Sequence, residues 1–177
     1  MRPGGVEFVV LGALAIKPCT GYEIKQLVDR STRYFWAASY GQIYPELRRL
    51  EEDGLVESEP DPQGGRQRNR YSLTEAGRDR LSEWLRTPAA GCEWRDEGLL
   101  KLFFARALDA DGQLEVVRAL LADREAVLEQ LREVERMDVA HETGKLVLDL
   151  GLRWHGEQVA SLQELEQRLA TRSEVPS

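Results

Sequence analysis

The stretch SYGQIYPELRRLEEDG, residues 39–54, has the periodicity of one amphipathic helix. Ile43, Leu47 and Leu50 recur at i, i+4 and i+7 and would form a single apolar stripe. The first serine is a plausible N-cap, and the last glycine is a plausible stop. The face opposite the stripe carries Gly41, Gln42, Pro45, Arg48, Arg49 and Glu52. This face is either an ordinary solvated surface or one that offers glutamine and arginine to base edges and phosphates.

A basic hairpin follows the predicted helix. Residues 57–65 are rich in Pro, Asp and Gly, which indicates a turn with a glycine tip. Because side chains alternate along a strand, Arg66, Arg68 and Arg70 would share one face of the next segment. The other face would carry Gln67, Asn69, Tyr71 and Leu73, the last two resting on a core. Thr74 then caps another helix.

Two helices are predicted before the quoted stretch. The first is mostly apolar from Val6 and is ended by Pro18. The second is capped by Thr20 and runs over residues 21–33. Its predicted core residues are Tyr22, Ile24, Leu27 and Val28, and the aromatics Phe35 and Trp36 are expected to anchor the following connection in the core. The order helix, helix, amphipathic helix, basic hairpin, helix is that of a winged helix-turn-helix.

The motifs of this half form a long, ordered set. They are Leu11-Gly12-Ala13-Leu14, Gly21-Tyr22-Glu23-Ile24, residues 39–47, Arg49-Leu50-Glu51, residues 53–56, Gly64-Gly65-Arg66, Arg68, Tyr71 and residues 73–77. With them, roughly the first eighty residues resemble the PadR family of bacterial transcriptional regulators. The resemblance implies a winged-helix repressor that dimerises and binds a near-palindromic operator. The chain has Thr20 where the family often has histidine, and Gln67 and Asn69 where it often has proline and lysine.

The charge of the chain is unevenly distributed. The 177 residues carry a net charge of −7, which is unusual for a protein that binds DNA. Residues 1–86 contain 13 basic and 13 acidic side chains, whereas residues 87–177 contain 11 and 18. A local basic patch, rather than the average charge, steers a protein to DNA. Binding by a neutral domain would therefore rely on two half-sites and would be sensitive to salt.

The sequence offers no pattern typical of an enzyme or a metal protein. Cys19, Cys92, His141 and His155 lack the close spacing of zinc ligands. The sequence shows neither the spacing of a Ser/His/Asp or Cys/His catalytic site nor a phosphate-binding glycine loop. We therefore expect neither an enzyme nor a cofactor. The sequence also shows no secretory signal and no apolar run long enough to span a bilayer. We therefore expect a cytoplasmic protein without membrane contact.

The second half reads as helices after a linker at residues 87–91. Residues 96–108 are apolar on more than one side, so this helix is expected to be buried on several faces. From residue 113, apolar positions recur at three and four residues. This seam would either join two subunits as in a coiled coil or pack within its own subunit; we favour the dimer contact because little else could cover it.

The last predicted helix, residues 142–171, contains an apolar stripe and three glycines. The stripe comprises Val159, Leu162, Leu165 and Leu169, and the glycines are Gly144, Gly151 and Gly156. Glycine costs about 1 kcal/mol relative to alanine inside a helix. The glycines would permit either close helix approach at a dimer axis or a small-molecule pocket. In the second interpretation Trp154 stacks on a planar ligand, His155 bonds to it and Trp94 lines the same space.

We therefore predict a mainly α protein in two domains. Residues 1–86 form a winged helix-turn-helix with a two-stranded β-wing, and residues 87–177 form a helical dimerisation domain with a candidate site for an aromatic effector. The predicted DNA contacts are Lys25, Ser39, Tyr40, Gln42, Tyr44, Arg48, Arg49, Arg66 and Arg68. The predicted function is a dimeric, effector-released repressor, and the alternative is a winged-helix protein-interaction module without a specific operator or effector.

Overall fold

The structure is a computed structural model that describes residues 5–61, 68–89, 91, 95–137 and 141–173. The chain divides into two compact units, Met1–Gly91 and Cys92–Ser177. The first unit contains α1 (Gly5–Ile16), β1 (Cys19–Thr20), α2 (Gly21–Arg30), a 3-10 turn (Thr32–Tyr34), α3 (Tyr40–Glu52), β2 (Val56–Pro60), β3 (Asn69–Leu73) and α4 (Glu75–Arg86). The second contains α5 (Glu97–Phe104), a 3-10 turn (Ala105–Ala107), α6 (Ala110–Met137) and α7 (Glu142–Ser173).

Helix α3 forms where the quoted stretch predicts it. Ser39 is its N-cap, and the chain leaves the helix through Gly54, whose φ of 70° favours glycine. The stripe of Ile43, Leu47 and Leu50 is completely buried in the core of the first unit. These three side chains therefore attach α3 to the scaffold and leave its opposite face outward.

The wing is part of a three-stranded antiparallel sheet with the order β1-β3-β2. Val56 pairs with Leu73 at one end of the β2–β3 ladder, and Pro60 pairs with Asn69 at the other. Tyr71 and Leu73 are buried, as the alternation predicts. The predicted two-stranded wing is confirmed as β2 and β3, and Cys19 and Thr20 add to its sheet a short strand, opposite Tyr71 and Arg70, that the sequence analysis did not predict. A strand of two residues has too few positions to show alternation.

The region around α2 differs from the prediction in three ways. The helix ends at Arg30 rather than near Arg33, and the Ser31 hydroxyl donates a hydrogen bond to the Leu27 carbonyl. Phe35 is 63% exposed and Trp36 is 40% exposed, so they are not core aromatics. Tyr22 was assigned to the core but is 43% exposed.

A buried carboxylate ties three helices of the first unit together. Glu7 lies in the apolar helix α1 and is 7% exposed. Its two oxygens accept hydrogen bonds from Arg49 of α3 and Arg80 of α4, each at 2.9 Å. Hydrogen bonds to charged groups are stronger than neutral ones, and a buried carboxylate requires them. The Glu7 network therefore fixes α3 and α4 relative to α1.

In the second unit, α6 packs along α7. Leu120, Leu121 and Leu128 of α6 form a buried cluster with Val159 and Leu162 of α7. The seam of α6 is thus covered within its own subunit, and the dimer interpretation of that seam was wrong. The periodicity could not identify the covering surface, because a stripe has the same spacing whether its partner lies in the same chain or in another.

Helix α5 is exposed, although its sequence predicted burial on several faces. Phe103 is 77% exposed and Phe104 is 61% exposed, and none of the α5 residues is fully buried. The first half of α7 also exposes apolar side chains, among them Leu146, Leu150 and Trp154. Within the described ranges, no helix has both the length and the apolar character needed to cross a membrane.

Glu7 and Glu83 both contact Arg80, but the Glu7 network predicts that removing Glu7 lowers the free energy of unfolding more than removing Glu83 does. Glu7→Ala removes two hydrogen bonds to charged groups and should lower the free energy of unfolding by about 2 kcal/mol. Glu83, which is exposed and lies 3.7 Å from Arg80, provides the control. Glu83→Ala should cost less than about 1 kcal/mol. Urea unfolding of the full chain, followed by circular dichroism, measures both; equal losses would contradict the structural role of Glu7.

Candidate nucleic-acid interface

The outer face of α3 is open to solvent. Gly41, Pro45 and Arg48 are exposed, as are Tyr40 and Tyr44 at 43% each. The face predicted from the wheel is therefore the face that the fold leaves accessible. Small residues at its start allow a duplex backbone to approach closely, and the arginine offers donors to phosphates or base edges.

Arg48 and Arg49 are neighbours in sequence but lie in different environments. Arg49 forms ion pairs with Glu7 at 2.9 Å, Glu46 at 2.6 Å and Asp53 at 2.7 Å. The hydrogen bond to Glu46 is the main cause that raises the pKa of the Arg49 guanidinium. Arg48 is exposed and makes no hydrogen bond or ion pair within the part of the chain that the structure describes. Only Arg48 presents its full charge outward, so the geometry disfavours Arg49 as a DNA contact.

Gln42 takes part in the N-cap of α3. Its Oε1 accepts hydrogen bonds from the backbone N–H and from the hydroxyl of Ser39, both at 3.0 Å. This is the reciprocal contact of a capping box. Ser39, the predicted phosphate contact, and Gln42, the predicted base contact, are thus hydrogen-bonded to each other.

Three tyrosine rings form a row across the start of α2 and α3. The Tyr22 and Tyr40 ring centroids are 6.4 Å apart, and those of Tyr40 and Tyr44 are 6.2 Å apart. The interplanar angles are 12° and 21°, so the rings are nearly parallel. The Tyr44 ring packs directly on Gly21, where an added Cβ would lie 2.7 Å from its Cε1. We call these three residues the tyrosine row; sequence analysis missed its first member.

Two basic side chains accompany the tyrosine row. The Lys25 Nζ lies 5.6 Å from the centroid of the Tyr40 ring and is paired with Asp29. The Arg68 guanidinium lies 5.8 Å from the centroid of the Tyr22 ring. Such distances correspond to cation–π contacts. The structure thus brings Lys25 and Arg68 together with the tyrosines of α2 and α3.

The base of the wing is held by a different arginine. Arg70 pairs with Glu23 at 3.3 Å and with Asp61 at 3.6 Å, and it donates a hydrogen bond to the Pro18 carbonyl at 3.0 Å. The Thr20 backbone N–H lowers the pKa of the Glu23 carboxyl, and Arg70 lowers it further. Arg70 therefore joins the sheet to α2. The predicted contact Arg66 lies outside the described residues.

The two candidate effector residues that the structure describes, Trp154 and His155, differ in exposure. Trp154 is 53% exposed, whereas His155 is half-buried, and burial together with Arg124 lowers its pKa. Its Nδ1 is buried without a hydrogen-bond partner in the described part of the chain. Trp94 lies outside that part. A groove of about 440 Å³ between α6 and α7 includes Gly156 in its lining, but neither Trp154 nor His155.

The described residues contain no group of three or more His, Cys, Asp or Glu side chains arranged to hold a metal ion. Cys19 is buried, and its thiol donates to the Lys17 carbonyl at 3.2 Å. Burial raises the pKa of the Cys19 thiol, which makes it a poor nucleophile at neutral pH. The polar surface most suited to a ligand in the first unit is thus the outer face of α3 with the tyrosine row.

Both halves of the chain match known protein families. Residues 10–83 match the family described as transcriptional regulator PadR-like, and residues 94–175 match the family described as virulence activator alpha C-term. The negative transcriptional regulator PadR of Bacillus subtilis is 30% identical over 129 residues, which cover 72% of this chain and 71% of that protein. This relative is a transcriptional regulator, which agrees with the expectation that the chain is not an enzyme.

Solved structures of the same relative are similar over nearly the whole chain. Bacillus subtilis PadR in complex with operator DNA has a TM-score of 0.82 and 26% identity, covering 93% of this chain and 98% of that one. Bacillus subtilis PadR in complex with p-coumaric acid has a TM-score of 0.77 and 26% identity, covering 96% and 98%. The similarity thus extends through both compact units.

Proposed function

The chain belongs to the PadR-like family of transcriptional regulators, and on that basis we propose that it is a dimeric repressor of a near-palindromic operator. One observation carries the proposal: the outer face of α3 exposes Arg48 beside the tyrosine row and the wing. The family relative from Bacillus subtilis has been solved with operator DNA, which supports DNA as the target of this chain. The protein would act in the cytoplasm, where its DNA target lies.

In this proposal α3 is the recognition helix. Gln42 contacts a base edge, while Ser39, Tyr40, Tyr44, Lys25 and Arg48 contact phosphates. Arg66 and Arg68 of the wing contact the DNA backbone or the minor groove. Arg49 has a different role, because its three carboxylate partners hold it against the scaffold. It positions α3 and does not touch DNA.

The alternative is a winged helix that contacts proteins only. An exposed arginine without an acidic partner, next to hydroxyl donors, suits a phosphate backbone better than an apolar protein surface. A gel shift with the DNA upstream of the chain's own gene separates the two functions. If no complex formed at low salt, the repressor function would be wrong.

Arg48 provides the sharpest test of the recognition helix. Arg48→Ala should lower the affinity for the shifted DNA roughly tenfold and reduce the slope of log affinity against log salt by about 1. Fluorescence anisotropy at a series of salt concentrations measures both quantities. Arg86→Ala, which removes another exposed arginine from the first unit, serves as the control and should leave both unchanged. An unaltered salt slope for Arg48→Ala would contradict the assignment.

We propose that the dimer forms through exposed apolar surfaces of the second unit. Leu99, Leu100, Phe103 and Phe104 lie exposed on α5, and Leu146, Val147, Leu150 and Trp154 lie exposed on α7. Apolar surface of this extent usually marks an interface. Because α6 is already covered by α7 of the same subunit, these residues replace the α6 seam as the contact with a second copy.

A buried charge should break this dimer. Phe103→Asp or Leu150→Asp should weaken self-association by at least about 100-fold, because an unpaired carboxylate is costly to desolvate. Analytical ultracentrifugation measures the dissociation constant. Leu85→Asp is the control, since Leu85 is 67% exposed but lies on α4 of the first unit. Dimers of unchanged strength in all three variants would contradict the proposed interface.

We also propose that a small aromatic compound releases the repressor from DNA. The Bacillus subtilis relative has been solved with p-coumaric acid, which supports this class of effector. In this chain the buried Nδ1 of His155 lacks a partner in the described residues and could bond to a phenol or carboxylate. Trp94 and Trp154 stay candidate stacking partners.

Titration with p-coumaric acid tests the effector. Binding should quench tryptophan fluorescence and dissociate the DNA complex at the same ligand concentration. His155→Ala should weaken both effects roughly tenfold, the size expected for one lost hydrogen bond to a charged ligand. His141→Ala is the matched control, because it removes the other histidine of the chain. A flat response with p-coumaric acid and related phenolic acids would contradict an aromatic effector.

A further inference from the structure

Tyr22 is the member of the tyrosine row that no functional assignment uses. It is the second residue of α2, and its side chain is 43% exposed. The capping box of Thr20 and Glu23 fixes the first turn of α2 around it: the Thr20 N–H donates to Glu23 at 2.8 Å, and the Glu23 N–H donates to the Thr20 hydroxyl at 3.2 Å. An aromatic side chain held outward on a rigid turn loses little conformational freedom when it binds.

The Tyr22 hydroxyl is oriented by one neighbour. Gln26, one turn later on α2, donates a hydrogen bond from its Nε2 to the Tyr22 oxygen at 2.9 Å. A phenolic hydroxyl has one proton to donate and also accepts. Since the oxygen acts as the acceptor towards Gln26, the proton of the Tyr22 hydroxyl remains to be donated to another group.

The surroundings of Tyr22 favour an anionic acceptor. Arg68 of the wing lies over the Tyr22 ring, and Lys25 lies over the neighbouring Tyr40 ring. In helix-turn-helix proteins the helix before the recognition helix crosses the DNA backbone. Hydroxyl side chains in such positions typically contact phosphate oxygens.

We infer that the Tyr22 hydroxyl donates a hydrogen bond to a phosphate of the bound DNA, with Gln26 setting the direction of the proton. This inference rests on the proposed function and extends the DNA contact from α3 to the start of α2. Stacking on Tyr40 places the Tyr22 ring in line with the ring that the proposed recognition helix presents. Tyr22 thus fixes the register of the protein on the backbone and reads no base.

The test compares two tyrosines of the full chain. Tyr22→Phe removes only the hydroxyl and should weaken binding to the upstream duplex and to an unrelated duplex of equal length by the same factor, roughly tenfold. The salt slope should not change, because the lost donor is neutral. Tyr34→Phe is the matched control: Tyr34 also lies beside an arginine, at 5.5 Å from Arg33, but outside the tyrosine row. It should bind DNA as the unmodified chain does.

A second variant separates hydroxyl orientation from packing. Gln26→Met removes the donor to Tyr22 with little change in volume and should weaken binding roughly threefold, whereas Tyr22→Phe with Gln26→Met should be no weaker than Tyr22→Phe alone. Thermal unfolding measured beside the anisotropy shows whether the variants remain folded. A folded Tyr22→Phe variant that binds like the unmodified chain overturns the inference.

The outcome also distinguishes this inference from the proposed function. If Tyr22→Phe has no effect while Arg48→Ala weakens binding, the role of Tyr22 is wrong and the repressor function stands. If the unmodified chain binds neither duplex at low salt, both are wrong. Equal losses for Tyr22→Phe and Tyr34→Phe would show a general effect of tyrosine removal and would also overturn the specific role of Tyr22.

Discussion

The arrangement of the first unit depends on one buried carboxylate in an apolar helix. Burying a carboxylate is costly unless donors contact it, and the donors to Glu7 come from Arg49 of α3 and Arg80 of α4. The same bonds that stabilise the carboxylate also fix the helix whose outer face is the proposed DNA-binding surface. They distinguish two adjacent arginines as well, since both are exposed but Arg49 is paired with three carboxylates, whereas Arg48 makes no ion pair among the described residues.

Local signals predicted the fold well, and contacts between distant residues account for the errors. The cap, the stripe and the end of α3 could be predicted because each lies within one stretch of sequence. The role of Arg49 could not, because its buried partner is 42 residues away. Tyr22 has the spacing of a core residue, but its ring stacks outward on Tyr40 of another helix. The exposed face of α3 was therefore predicted from the sequence, but the contacts among its side chains were not.

The second unit illustrates the same limit for apolar side chains. The sequence predicted burial both for the stripe of α6 and for the apolar residues of α5. The structure covers the first with α7 and leaves the second exposed. Periodicity indicates that a face will be buried, but only the packing of the whole unit decides which face remains for another molecule.

The cap of α3 has a consequence for how a sequence can be discriminated. The Gln42 oxygen already accepts two hydrogen bonds from Ser39 in the protein without DNA. A base edge that donates to this oxygen would have to displace them, so the contact would be an exchange between two sets of hydrogen bonds. A matching base compensates the amide for the two bonds that it gives up, whereas at a mismatched base the amide can remain in the cap. The net gain from a Gln42 contact would then be small, with the overall strength of binding set elsewhere on the surface.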